Sequence, residues 1–79
     1  MNKSTQQLLE SYTKYNELID EVDADTTYQC QADPGCLTSE AKWRIRKTLK
    51  VGTVTTISWA DGNTEFDNIA DDRLTLTYS

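Results

Sequence analysis

Five oxygen-bearing side chains near the carboxyl end are the first candidates for chemistry. Asp61, Asn63, Glu65, Asp67 and Asp72 fall at offsets that partly match an EF-hand calcium loop, in which alternate positions aim oxygen ligands at one hard cation. Phe66 stands where the sharp turn needs glycine, Asp72 where a bidentate glutamate belongs, and no helix is expected before Asp61. The segment therefore reads as an exposed acidic loop. Asp61, Asn63, Glu65 and Asp67 remain its calcium candidates, of a type other than the EF-hand.

Cys30 and Cys36 flank Asp33-Pro34-Gly35, where proline presets one dihedral and glycine permits a positive one. The spacing allows a small disulfide loop or two separate thiols, and the redox compartment decides between them. Two thiols fall short of a zinc site, and the chain has no histidine and no second cysteine pair. The same lack of histidine removes Ser-His and Cys-His nucleophile pairs and a histidine base. Three glycines are too few for a phosphate-cradling loop. Paired carboxylates suit glycoside hydrolysis, but 79 residues leave little room for the cleft it needs. A non-enzymatic protein without a cofactor is expected.

Composition is that of a globular domain, with 37% hydrophobic and 27% charged residues. A chain this short buries a modest core and gains from oligomerisation, a metal or a disulfide. No apolar stretch is long enough to span a membrane, and Met1 to Gln7 lacks the apolar core of a signal peptide, so synthesis in the cytosol is expected. The net charge of -5 is unevenly placed. Residues 1–40 carry two lysines against eight acids, while residues 41–79 carry six basic residues against five acids. Lys42, Arg44, Arg46, Lys47 and Lys50 cluster in that second half. Because the whole chain is acidic, nucleic acid is not expected as a partner, and the basic stripe suits a face that docks on acidic protein.

These groups must be held by few elements. Ser4 and Gln7 have capping-box spacing, and Leu8, Tyr12, Tyr15, Ile19 and Val22 recur at helical intervals, with Leu9 and Leu18 widening the stripe. The helix should end near Val22, where Asp20, Glu21, Asp23 and Asp25 oppose the helix dipole. A connector is expected over residues 28–41. From Trp43 the period becomes two: Trp43, Ile45, Leu49 and Val51 share one face, Arg44, Arg46, Thr48 and Lys50 the other, and Lys47 interrupts the apolar side. Gly52-Thr53 turns the chain into a second strand, Val54 to Ala60. Strand parity is read as placing Ile57 and Trp59 in the core with Trp43 and Ile45, leaving Tyr28 and Tyr78 as the aromatics nearer a surface. Asp61-Gly62 is the next turn, Phe66, Ile69 and Ala70 fit one helical turn, and Leu74, Leu76 and Tyr78 alternate in a last strand. The expected fold is α+β: an amphipathic helix and acidic linker over 1–27, then a small antiparallel β-module over 28–79.

The order Tyr28, Ala32, Pro34-Gly35, Thr38-Ser39, Ala41, Trp43-Arg44-Ile45, Trp59-Ala60-Asp61-Gly62-Asn63, Phe66-Asp67-Asn68-Ile69, Asp71-Asp72-Arg73 and Leu76-Thr77-Tyr78-Ser79 resembles small, largely uncharacterised proteins of tailed bacteriophages. Ala70 departs from that pattern, where tryptophan is common, and so do Cys30 and Cys36, where small non-thiol residues are usual. The resemblance implies a virion or assembly role and supplies no activity. The expected function is a structural protein of the virion, made in the host cytoplasm and present in many copies. It would dock on a larger capsid or tail protein through Leu8, Tyr12, Tyr15 and Ile19, or through Lys42, Arg44 and Arg46. A carbohydrate- or calcium-dependent adhesion module using Tyr28, Tyr78 and the Asp61 to Asp67 loop is an alternative. A regulatory protein whose acidic half engages a host enzyme is another.

Overall fold

The computed structural model describes residues 15–79. Among these residues five strands are present, β1 Asn16–Glu21, β2 Thr26–Ala32, β3 Ala41–Val51, β4 Val54–Trp59 and β5 Asn68–Ile69, followed by a 3-10 turn at Ala70–Asp72. The first four form an antiparallel meander in chain order, and β5 pairs with the start of β3.

The expected α+β class is corrected to antiparallel β, since no α-helix occurs among the described residues. Leu8 and Tyr12 of the expected helix lie outside those residues. Its second half is β1, with Asn16 to Glu21 paired to Ala32 to Thr27. Leu18 and Asp20 alternate here with Glu17, Ile19 and Glu21, a period-two pattern that the helical spacing of Tyr15, Ile19 and Val22 masked. The acids after Ile19 do not end a helix. Asp23 Oδ1 accepts the N–H groups of Asp25 and Thr26, each at 2.8 Å, and closes the β1–β2 turn. The Asp25 N–H above all holds this carboxyl below the usual carboxylate range.

The start of the expected connector is strand, because Tyr28 to Ala32 complete β2 and the expected boundary at 27/28 falls inside it. The turn at Asp33-Pro34-Gly35 does form. Cys36 N–H donates to Asp33 O at 3.3 Å, and Gly35 adopts a φ of 93° that disfavours a side chain.

The core lies on one side of the sheet. Cys30, Ala32, Trp43, Ile45, Ala60 and Ala70 are buried together, with Leu18, Cys36, Leu76 and Tyr78 packed against them. Trp43 keeps its polar edge satisfied by donating from Nε1 to Leu37 O at 2.9 Å. The carboxyl-terminal segment covers this side without forming the expected last strand. Only Tyr78 bridges to Ala60, with Trp59 and Ser79 exchanging backbone bonds at 3.1 Å. Arg73 pins the cover to β1 through Asp20 at 2.9 Å, and Tyr78 Oη donates to Arg73 O at 2.7 Å.

Tyr28 is corrected from surface to core, and its ring meets that of Tyr78 at 5.5 Å between centroids. Lys47, on the apolar side of β3, puts its Nζ 5.9 Å from each of these two ring centroids. The charge is thus held over aromatic faces at the edge of the core.

Candidate contact face

The opposite side of the sheet carries a different set of residues. The strand register sets two rows across it: Glu17, Gln31 and Arg44 in one, and Ile19, Gln29, Arg46 and Trp59 in the next. Cross-strand neighbours on one face are close enough for side chains to bond.

Both rows are tied by directed hydrogen bonds. Arg44 Nε donates to Gln31 Oε1 at 2.9 Å, and Arg46 Nη2 donates to Gln29 Oε1. Each glutamine turns its amide nitrogen to the same acceptor, Glu17 Oε1, at 2.6 Å from Gln31 and 3.1 Å from Gln29. One carboxylate therefore orients two amides, and the amides orient two guanidinium groups. Among the described residues neither arginine forms an ion pair; the two salt bridges there join Lys42 to Glu40 and Arg73 to Asp20.

Aromatic rings wall this ladder. Arg44 Cζ lies 4.8 Å from the Phe66 centroid, 5.3 Å from that of Tyr15 and 5.9 Å from that of Trp59, and Arg46 Cζ lies 6.0 Å from the Trp59 ring. These distances fall within cation–π range. Tyr15 and Phe66 also meet each other, 5.4 Å between centroids. Ile57 and Trp59 are accordingly corrected from core to open face: Ile57 is 53% exposed and Trp59 sits opposite Arg46. Ile19, at 52%, and Phe66, at 37%, complete an apolar fringe.

Of the seven contact residues expected from sequence, Tyr15, Ile19, Arg44 and Arg46 come together on this face. Lys42 does not join the ladder and pairs with Glu40 at 3.7 Å in an exposed position; Leu8 and Tyr12 lie outside the described residues. Glu17, Gln29, Gln31, Trp59 and Phe66 are members that sequence reasoning missed. A signal for Trp59 was present. Counting outward from the two-residue turn Gly52-Thr53 pairs Val51 with Val54 and Arg46 with Trp59.

The other candidates are placed as follows. Cys30 is buried and Cys36 partly buried, and both carry free thiols. Burial pushes the Cys30 thiol up to about 11, with Asp20 adding to the shift and Arg73 opposing it. No three His, Cys, Asp or Glu side chains among the described residues gather as a metal-holding group. In the Asp61 to Asp67 loop, Asn63 Oδ1 instead accepts Glu65 N–H at 2.9 Å, a turn contact. With Tyr28 in the core, the adhesion surface expected from Tyr28, Tyr78 and this loop is not assembled. Among the described residues no helix is long and apolar enough to cross a membrane.

No protein-family model matches the chain, and neither a curated protein nor a solved structure matches it. The resemblance to tailed-phage proteins rests on the quoted motifs alone.

Proposed function

We propose that this protein is a non-enzymatic structural component of a bacteriophage virion, acting by surface contact through the open face of its sheet. It is present in many copies and is assembled with a larger capsid or tail protein. The observation that carries the reading is the ladder itself. Two half-buried arginines are fixed in place by glutamines and aromatic rings, while a fringe of Ile19, Ile57 and Phe66 stays exposed. Preorganised arginines beside aromatic residues are the composition of contact hot spots. The virion assignment comes from the motif order and from the small size of the chain, which favours burial against neighbours.

Fractionation of infected cells tests the proposal. The protein is expected to co-purify with intact particles in a fixed ratio to a larger structural protein; recovery only from the cytosolic fraction would overturn it.

A further inference from the structure

The outer edge of β4 is paired at one end only. Trp59 N–H donates to Ser79 O and Trp59 O accepts Ser79 N–H, each at 3.1 Å, so both groups point away from β3. Backbone groups alternate in direction along a strand, and Thr55 and Ile57 therefore turn theirs outward as well. Among the described residues nothing pairs with them. β4 runs Val54-Thr55-Thr56-Ile57-Ser58-Trp59, without a charge, a proline or a glycine, and Thr55 and Ile57 are exposed. The sheet's other outer strand differs. β1 carries Glu17, Asp20 and Glu21, and charges on an edge keep it from pairing. β4 has no such protection.

We infer that this edge pairs with β4 of a second copy of the chain, antiparallel, about a twofold axis that is perpendicular to the sheet and passes between the two Thr55 residues. An extended strand is what a row of unpaired N–H and C=O groups accepts. Antiparallel self-pairing sets a strand opposite itself, which places like charges together in a charged strand and costs nothing of that kind in this neutral, β-branched one. Ser79 fixes the register, because it fills the place opposite Trp59. With Thr55 opposite Thr55 of the other copy, Ile57 comes opposite Thr53, and the turn at Gly52 carries the second chain away before it reaches Ser79. Thr56 on the axis would instead bring Thr53 of the other copy onto Ser79, and Val54 on the axis would leave Ile57 unpaired. The axis keeps like faces on one side, so the two copies form one continuous sheet with both arginine ladders on the same surface.

Sedimentation equilibrium and amide hydrogen exchange of the full chain test the inference. The pairing is short and therefore weak, so the mass is expected to rise from one chain towards two between about 10 μM and about 1 mM protein. Over that range the amide protons of Thr55 and Ile57 are expected to gain protection at least about fivefold, while those of Thr56 and Ser58, which face β3, are protected throughout. T55K and T55E, each alone, set like charges opposite one another at the axis and are expected to raise the dissociation constant at least about fivefold. Their equimolar mixture sets opposite charges there and is expected to associate at least as tightly as the wild-type chain. The exchange measurement needs no variant, so loss of folding in one protein leaves the test intact. A chain that stays monomeric at about 1 mM would overturn the inference. So would a dimer whose Thr55 and Ile57 amides exchange as fast as in the monomer, or variants that associate as the wild-type chain does. The open face takes no part in this pairing, so failure of the pairing and failure of the contact role are separate results.

Discussion

Gln31 donates from Nε2 to Glu17 Oε1 at 2.6 Å, and its Oε1 accepts Arg44 Nε at 2.9 Å. The glutamine stands between a carboxylate and a guanidinium that would otherwise neutralise each other. It keeps the two groups out of direct contact and fixes the orientation of the guanidinium through its own amide. Glu17→Ala should therefore release both Gln29 and Gln31. Urea unfolding is expected to show a loss of about 1–2 kcal/mol. A double-mutant cycle with Gln31→Ala should show coupling of at least ~0.5 kcal/mol; strict additivity would mean that the ladder is not a unit.

The two tryptophans should behave oppositely. Trp43 is 3% exposed and bonded to Leu37 O, so Trp43→Ala is expected to cost roughly 3–5 kcal/mol. Trp59 lies on the open face, and Trp59→Ala should cost no more than about 1 kcal/mol. Equal losses in urea unfolding would return Trp59 to the core.

The contrast shows where the sequence is legible. The β3–β4 hairpin, the Asp33-Pro34-Gly35 turn and the inward position of Trp43 and Ile45 follow from period-two alternation and turn chemistry. β1 was not legible, because Tyr15, Ile19 and Val22 satisfy helical spacing while Asn16 to Glu21 also satisfy strand alternation. Only pairing with β2 decides between them. The ladder was half legible. Arg44 and Arg46 stood out by charge, but Gln29 and Gln31 carry no signal until register sets them opposite those arginines.

Thiol chemistry separates Cys30 from Cys36. Burial disfavours the Cys30 thiolate, whereas Cys36 is partly exposed, so a thiol reagent near neutral pH is expected to label one cysteine per native chain and the second only on unfolding. Absence of labelling before reduction would show a Cys30–Cys36 bridge instead. Rapid labelling of both would contradict the packing around Cys30.

Stability should fall in alkali for a related reason. Burial raises the Cys30 thiol from 9.0 to about 11 and also raises the Tyr78 phenol, so both hold their protons more tightly when folded than when unfolded. Their contribution is fully present below the unfolded values and is lost as pH rises through the folded ones. The melting temperature is expected to decline as pH increases from 9.0 towards about 11, and Cys30→Ala should flatten the first part of that decline. A melting temperature constant over that range would contradict the burial of both groups.

Imaging the intact particle and tracing this chain in its density tests the central claim most directly. The account predicts ordered copies on the capsid or tail, with Arg44, Arg46 and Trp59 buried in a contact. Particles that lack the chain, or that carry it with this face open to solvent, would contradict it.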